Sequence, residues 1–346
     1  MRPIALAALA ALALAPLAAA PEAAAQQVED RDKLAQTGMK FLSVPADPRA
    51  AALGDATTSL EGGAEMIFSN PAGLARLEST TDLVVSQTQF IADIDYSHAA
   101  IAFRPGRNLG VVAASFAFVD YGELQQTIYA DTEQGYLRLG TFAPQAYSAG
   151  VGYARAFSDQ FSAGGHVKYA SEDLGRSLLA YDEEAGETPE TGTYQDNVVG
   201  TLAYDFGVLY KTGFDSLNFA VSARNFAREV VFEEESFQLP LALHIGVSMD
   251  VLDLAPSLGD MHRLQVAVDA RNPRDFAEQI QVGGEYTFAN TLSLRGGYVF
   301  PTDEQGINLG AGFQQSLGGV GVGADYAYSN FGVFRDVHRV ALRLSF

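Results

Sequence analysis

The residues best placed for chemistry are charged side chains that recur at alternating positions late in the chain. They are Asp269, Arg271, Glu285, Arg295, Asp325, Arg339 and Arg343. They alternate with apolar residues, and a strand turns successive side chains to opposite faces. Because both signs occur on one face, we expect an interior ion-pair network. Its spacing leaves two roles open: pairs that brace a wall and anchor another segment, or a polar track for a solute.

Other chemistry finds little support in the residue types. The histidines His98, His166, His244, His262 and His338 form neither a His-x-x-x-His pair nor a His-Glu-x-x-His run. The chain has no cysteine, which excludes disulfides, thiolate metal sites and a cysteine nucleophile. It also lacks a Gly-x-Ser-x-Gly elbow and a phosphate-binding loop. We therefore expect no enzyme activity, cofactor or metal, although a dispersed catalytic triad stays formally open.

The elements that position these charges are strands. From about Thr80 to the end, the sequence alternates with period two, as in Val340 to Phe346, where Val340, Leu342, Leu344 and Phe346 share one face. We predict about fourteen strands at 81–92, 96–104, 109–128, 146–156, 160–171, 198–211, 217–226, 241–252, 263–271, 278–288, 292–300, 307–316, 321–328 and 337–346.

Strands of roughly ten residues, each with one apolar and one polar face, are typical of a transmembrane β-barrel. A soluble sandwich would also alternate, so the connection lengths decide. The longest predicted connections, 129–145, 172–197 and 227–240, fall on one side, and the other side has short turns apart from 253–262. Outer-membrane barrels have short periplasmic turns and longer external loops. The pattern predicts an all-β, fourteen-stranded antiparallel barrel in the cell outer membrane, crossing it many times, with both termini periplasmic.

The N-terminal residues predict export. Arg2 precedes an Ala- and Leu-rich stretch at 4–17, and Ala23 to Ala25 fit the small-residue cleavage rule, so we expect a signal peptide at 1–25. Residues 26–79 lack strand alternation. Asn70 followed by Pro71 favours a helix start, with Asn as N-cap and Pro in the first turn. We expect a non-strand segment at 26–79 and the barrel at 80–346.

Composition narrows the partners. The formal net charge of −20, from 22 Lys+Arg against 42 Asp+Glu, argues against nucleic acid. The 15 Tyr and 22 Phe could supply aromatic girdles in contact with outer-membrane lipid. The terminal Phe346 closes an apolar strand and resembles the signal read by the barrel assembly machinery.

Two loops and one irregular stretch are further candidates. The connection 172–197 is acidic, with Asp182, Glu183, Glu184, Glu187 and Glu190. The connection 227–240 holds apolar Val230, Val231, Phe232 and Phe237, which either contact a partner or cover the barrel mouth. Asp120, Gly122 and Glu123 interrupt the third strand and mark either a wall opening or ordinary curvature.

Over nearly the whole mature chain the sequence resembles the PorV/PorQ family, within the FadL-like group of fourteen-stranded barrels. The matching parts are Phe41-Leu42, the run 49–56, Ser69 to Leu74, Asp120 to Glu123, Asp325 to Tyr328, His338-Arg339 and Phe346. The resemblance implies that the N-terminal segment is a hatch plugging the lumen, with Asn70, Pro71 and Ala72 as its motif.

The resemblance implies two functions from different classes. The first is a type IX secretion component that binds secreted cargo proteins with C-terminal sorting domains and works with other secretion components. The second is a FadL-like transporter of hydrophobic small molecules such as long-chain fatty acids. An apolar tunnel past Asn70 to a gap near 120–123 would favour transport, and a sealed lumen with an apolar rim at 230–237 would favour cargo binding.

Overall fold

The alternating segments form strands in the computed structural model, which describes residues 37–106, 109–131, 133–180, 191–233, 235–254, 261–303 and 305–346. The first nine strands are β1 Thr81–Gln89, β2 Asp95–Gly106, β3 Gly110–Asp120, β4 Leu124–Tyr129, β5 Tyr136–Phe142, β6 Gln145–Ala156, β7 Phe161–Ala180, β8 Thr193–Lys211 and β9 Asn218–Ala227. The next nine are β10 Val230–Phe232, β11 Glu235–Phe237, β12 Ala242–Asp250, β13 His262–Pro273, β14 Gln279–Phe288, β15 Leu292–Phe300, β16 Asn308–Leu317, β17 Val320–Ser329 and β18 Val337–Ser345.

Fourteen of these strands close into one antiparallel barrel, which confirms the predicted fold class. The order is β1-β18-β17-β16-β15-β14-β13-β12-β9-β8-β7-β6-β3-β2. The first and last strands close the ring, with Asp82 opposite Ser345 and Gln89 opposite His338. The remaining strands form two separate hairpins, β4–β5 and β10–β11. No described helix has the length and apolar character needed to cross a membrane.

The connections sort by length, as predicted. We call the end that carries Phe346 the base, where Thr80 N donates to Phe346 O at 2.7 Å. We call the opposite end the mouth. Both extra hairpins lie in connections at the mouth, between β3 and β6 and between β9 and β12. The base has short turns except between β12 and β13, where a 3-10 helix, Val251–Leu254, begins the connection.

The third predicted strand, 109–128, was too long. Strand β3 ends at Asp120 because the chain turns there: Gly122 has φ +75° and its N–H donates to Asp120 Oδ1 at 2.9 Å. Residues predicted to continue the strand form β4 of the mouth hairpin instead. In contrast, β7 and β8 continue into the predicted connection 172–197, and its acidic residues Asp182, Glu183, Glu184, Glu187 and Glu190 lie outside the described residues.

The two faces of the wall differ as the alternation requires. Large apolar side chains point outward, for example Val112, Val151 and Leu342, which are 50%, 63% and 61% exposed. Outward aromatic residues cluster towards each end, as expected for interface girdles. Those near the base include Phe157, Phe161, Phe288 and Phe346, and those near the mouth include Tyr147, Tyr169, Tyr298 and Tyr326. Such an exterior suits lipid contact.

The described part of the N-terminal segment, residues 37–79, lies inside the ring, and we call it the hatch. It contains helix α1, Pro48–Ala52, and 3-10 helices at Lys40–Ser43, Ala64–Phe68 and Pro71–Arg76. Asp47 caps α1 by accepting from Ala50 N at 3.2 Å, and Pro48 opens its first turn. The largest core cluster joins hatch residues such as Leu53, Leu60 and Ile67 to small wall residues such as Ala102 and Ala154.

The hatch runs through the lumen from mouth to base. Gly38 N donates to Gln238 O at 3.1 Å, and Thr37 Oγ1 donates to Asp275 at 2.9 Å, both at the mouth. At the base, Arg76 Nη2 donates to Ser158 O at 2.9 Å. The first described residue is therefore at the end opposite Phe346. The predicted signal peptide at 1–25 and the periplasmic N-terminus lie outside the described residues.

Candidate functional site

The hatch motif is held by the side chain of Asn70. Its Oδ1 accepts from Ala72 N at 3.0 Å, capping the 3-10 helix that begins at Pro71. Its Nδ2 donates to Thr58 O at 2.7 Å within the hatch and to Val208 O of the wall at 3.4 Å. Asn70 is fully buried. The predicted motif Asn70, Pro71 and Ala72 thus lies where the hatch meets β7 and β8.

Five of the seven predicted lumen charges contact one another or the hatch. Glu285 accepts from Arg49 of the hatch at 2.9 and 3.0 Å and from Arg295, and Arg295 also bonds Asp325. Arg343 pairs with Glu65 of the hatch at 2.7 Å. Asp269 accepts from Thr58 N at 2.9 Å. Arg295 and Arg343 both point inward, as the alternation predicts, because lipid-facing arginine is costly.

The other two, Arg271 and Arg339, have no carboxylate within 4 Å among the described residues. Arg271 Nη1 reaches only Gln279 Oε1, at 3.5 Å, and Arg339 Nη1 donates to Ser329 Oγ at 2.9 Å. The predicted set therefore divides into a paired group between hatch and wall and two guanidinium groups without an acidic partner.

Several hatch contacts come from charged wall residues outside the predicted set of seven. Arg224 of β9 pairs with Asp55 at 3.1 Å, and Lys211 of β8 pairs with Glu61 at 2.8 Å. Asp82 of β1 accepts from Ala64 N at 2.7 Å. These residues occupy inward positions of predicted strands, so the same alternation could have identified them.

The structure also joins Ser115, His166 and Asp205, three inward residues of β3, β7 and β8. Ser115 Oγ lies 2.8 Å from His166 Nε2, and His166 Nδ1 lies 2.8 Å from Asp205 Oδ2. Gly150 of the intervening strand β6 leaves space for this approach, because an added Cβ there would lie 2.4 Å from His166 Nε2. A serine, a histidine and an aspartate hydrogen-bonded in this order resemble a catalytic triad. Lys168 shares Asp205 at 2.8 Å, however, and Ser115 does not line the lumen cavity, so we interpret the group as a wall network.

A cavity of about 70 Å³ separates the upper hatch from the wall. Hatch residues from Phe41 to Ala50 form one side, with Leu60 and Phe68. The wall side includes Lys168, Arg224, Asn225, His244 and Arg271, and the hatch side also carries Asp47, Arg49, Asp55 and Glu65. Lys40, which follows Met39 at the mouth, forms an ion pair with Asp275, while burial and the Arg271 guanidinium lower its pKa to about 8.

Above the cavity, apolar side chains cross the lumen, and we call them the mouth layer. Its buried members are Met39, Phe41, Tyr96, Val119, Ala146, Ala170, Val199, Ala203, Val230 and Leu239. Phe90, Phe232 and Phe237 pack against it. Phe237 also touches the hatch at Gly38, where an added Cβ would lie 2.4 Å from its ring.

The four residues of the predicted cargo-contact loop differ in where they point. Val230 is buried, and Phe232 and Phe237 turn towards the mouth layer because the β10–β11 hairpin folds over the lumen. Only Val231 of the four faces away, at 70% exposure. The other three side chains pack over the mouth, as the alternative expectation for this loop states.

At the predicted wall irregularity, the pairing of the barrel strands is continuous as far as Asp120. Strand β3 pairs without interruption with β6 through Asp120, opposite Gln145, and Asp95 of β2 also lies opposite Asp120. Asp120, Gly122 and Glu123 lie where the chain leaves the wall. The terminal Phe346 lies at the base, with its side chain 55% exposed. Among the described residues, no cluster of His, Cys, Asp and Glu is arranged to hold a metal ion.

Solved structures of three outer-membrane barrels share this architecture. The toluene transporter TbuX of Ralstonia pickettii aligns with a TM-score of 0.53 and 14% identity, over 86% of this chain and 98% of its own. The toluene transporter TodX of Pseudomonas putida gives 0.56 and 11%, over 86% and 96%. A Pseudomonas aeruginosa FadL homologue gives 0.53 and 10%, over 88% and 98%.

Sequence comparison adds no nearer relative. No protein-family profile matches the chain, and no curated protein matches it significantly. At these identities the structural likeness concerns the fold alone. The chain therefore has the fold of the FadL-like fourteen-stranded barrels, with an N-terminal segment inside the ring.

Proposed function

We propose that this chain is an integral outer-membrane barrel that passes small hydrophobic molecules. The apolar exterior and the predicted export signal support the location. The function rests on one observation above all: the mouth of the lumen is crossed by an apolar and aromatic layer. A water-filled porin has a polar interior, which would not attract an apolar solute. The FadL-like fold, shared with two proteins named as toluene transporters, supports the same function.

The path we propose begins at the mouth layer and follows the seam between hatch and wall. Phe41 lies both in the layer and beside the cavity, so a solute that displaces it reaches the seam directly. The hatch fills most of the lumen and is held by buried ion pairs, which describes a closed state. Passage therefore requires movement of the hatch, and the small size of the cavity fits this requirement.

Uptake measurements test the proposal. Outer-membrane expression in a Gram-negative host that lacks such channels should raise the initial uptake of labelled toluene above that of cells carrying an empty vector. Phe41→Asn puts an amide into the mouth layer and should return uptake towards the empty-vector rate. Val231→Asn changes an outward side chain of the same region and should leave uptake unchanged.

Two results would contradict this function. One is toluene uptake at the empty-vector rate by cells whose outer membranes contain the folded barrel, as judged by heat-modifiable mobility. The other is equal uptake by Phe41→Asn and the wild-type protein.

The cargo-binding role in type IX secretion is a second candidate, and one observation favours it. Tyr129 and Val231, on the two mouth hairpins, are 90% and 70% exposed. Exposed apolar side chains can mark a partner surface. Most of the predicted apolar rim faces inward, however, so this surface is small. Purification from native outer membranes with mass spectrometry would test it: proteins sharing a C-terminal sorting domain should be recovered, and their absence would count against cargo binding.

A further inference from the structure

Strand β9 breaks its in–out alternation at one position beside the cavity. The register between β8 and β9 shifts between Tyr204 and Phe206, so that Asp205 faces both Arg224 and Asn225. Asn225 adopts the left-handed conformation, with φ 62°. Two consecutive side chains consequently turn into the lumen. Such bulges re-aim side chains and are frequent beside functional sites.

The bulge completes a cluster on three neighbouring strands. Ala242 of β12 lies opposite Arg224 of β9, and His244 of β12 lies opposite Arg271 of β13. Arg224, His244 and Arg271 therefore face the cavity from adjacent strands, with the small Ala242 leaving room between them. Asn225 Nδ2 donates to Leu42 O of the hatch at 3.3 Å and to Pro240 O of the β9–β12 connection at 3.2 Å.

Several polar atoms of this cluster have no hydrogen-bond partner among the described residues. They are Arg224 Nε and Nη2, Arg271 Nε, His244 Nδ1 and Asn225 Oδ1. His244 is 1% exposed and Asn225 is 3% exposed. Asn225 Oδ1 is an acceptor, whereas the free guanidinium nitrogens are donors. Buried polar atoms are nearly always hydrogen-bonded in folded proteins, so these donors, which face a cavity, point to a ligand.

Arg271 is the basic side chain of this cluster that makes no ion pair among the described residues. Arg224 is paired with Asp55, Lys168 with Asp205, Arg49 with Glu285 and Glu65 with Arg343. Asp47 also lines the cavity, but its charged neighbours are Glu65, Asp325, Arg343 and Arg295 on the opposite side. Arg271 has no such partner among the described residues. Asp55 acts on Arg271 only through space, because its carboxylate is bound to Arg224, and Asp269 accepts from Thr58 N. A bound anion would give the Arg271 guanidinium a direct, charge-assisted partner.

We propose that Arg224, His244 and Arg271 form a site for one compact oxyanion, of carboxylate or phosphate size, held between wall and hatch. Guanidinium groups bind such anions through paired, charge-assisted hydrogen bonds. The cavity of about 70 Å³ suits this size, because one water needs about 10–15 Å³ by the same measure. The site has room for a few heavy atoms and does not depend on the passage of hydrophobic solutes.

Calorimetric titration of the purified full-length protein in detergent tests the site. The probes are acetate, inorganic phosphate, benzoate and, as a neutral control, toluene. Wild-type protein should bind acetate or phosphate, and Arg271→Gln should weaken that binding at least about 10-fold, since it removes hydrogen bonds to a charged ligand. Arg271→Lys keeps the charge but loses the planar fork, so it should bind more weakly than wild type. If Arg271→Gln does not fold, the anion affinity of Arg271→Lys tests the site instead.

Arg339→Gln is the matched control. Arg339 is buried without a carboxylate partner among the described residues, but it does not line the cavity, so its loss should leave anion affinity unchanged.

If the protein binds benzoate but neither acetate nor phosphate, the site exists and its ligand is the carboxylate group of a hydrophobic solute. The proposal is overturned if the folded wild-type protein binds none of the three anions, or if Arg271→Gln and Arg271→Lys bind them as wild type does. A failure of toluene uptake alone would contradict the proposed function and leave this site standing.

Discussion

At the scale of single residues, Glu285 shows how the wall holds the hatch. It receives hydrogen bonds from Arg49 of the hatch and Arg295 of the wall, and its side chain is 10% exposed. Removing its charge would leave the largely buried Arg49 without a carboxylate partner and Arg295 with Asp325 alone. Such losses are among the costliest single changes in folded proteins.

We expect Glu285→Gln to lower the free energy of unfolding by about 3–5 kcal/mol, the usual cost of breaking a buried ion pair. Denaturant titration of the detergent-refolded barrel measures this quantity. Asp196→Asn is the control, because Asp196 pairs with Arg176 at 3.2 Å but both side chains are more than half exposed. Its effect should stay within about 1 kcal/mol. Equal losses from the two variants would contradict a special role for Glu285.

The sequence predicted which face these side chains occupy but not their partners. Alternation placed Glu285, Arg295 and Arg343 inward because period two is a local property of a strand. Their partners Arg49 and Glu65 lie more than two hundred residues earlier, in a segment without periodicity. The same limit explains why Ser115, His166 and Asp205 were not linked: their contact depends on the closure of four neighbouring strands.

At the scale of elements, the hatch fits inside the barrel because glycines line the wall where the hatch and the strands meet, and they have no side chain to obstruct it. An added Cβ would collide with hatch atoms at less than 3 Å at Gly152, Gly164, Gly207, Gly283, Gly297 and Gly310. At Gly207 it would lie 1.8 Å from Asn70 Oδ1. The high glycine content of the strands thus has a definite use in docking the hatch.

Gly207→Ala should displace Asn70 and loosen the hatch while leaving the barrel closed. We expect a higher ion conductance in planar bilayers than the wild-type protein shows, because the plug no longer seats. Gly284→Ala is the matched control, since an added Cβ there meets nothing within 4 Å. Identical conductance from both variants would show that the hatch does not depend on this contact.

The boundaries of elements were predicted less well than their number. Strand β3 ended early because an Asp120–Gly122 turn interrupts it, and residues beyond that turn pair with one another to form the β4–β5 hairpin. Strand β7 ended late because its partner β8 extends with it beyond the predicted limit. Pairing between neighbours sets strand length, and pairing is not visible in one segment.

At the scale of the whole molecule, the base carries the predicted assembly signal. Phe346 bonds through its backbone to Thr80 and Thr81, whereas its side chain is largely exposed. A role in recognition therefore predicts that the side chain matters for insertion in cells more than for stability.

Phe346→Ala should lower the amount of folded protein in outer membranes while leaving the yield of refolding in detergent unchanged. Phe288→Ala removes another exposed aromatic side chain near the base, at 41% exposure, and should affect neither quantity strongly. If Phe346→Ala refolds as poorly in detergent as it inserts in cells, the side chain is structural and the signal is elsewhere.

The overall architecture was the most predictable part, because strand count and loop parity follow from repeated local patterns. The direction of the hatch was not predictable, since Thr37 lies at the mouth and only tertiary contacts place it there. The function could not be fixed from the alternation either, because the mouth layer joins residues from the hatch, five barrel strands and the β9–β12 connection.

In the proposed function, the mouth layer receives small hydrophobic molecules. Crystals of the protein soaked with iodobenzene can show this, because the iodine gives an anomalous signal that locates the molecule. We expect a peak inside the lumen, beside Phe41, Tyr96 and Phe237. Peaks confined to the lipid-facing exterior, with none in the lumen, would contradict it.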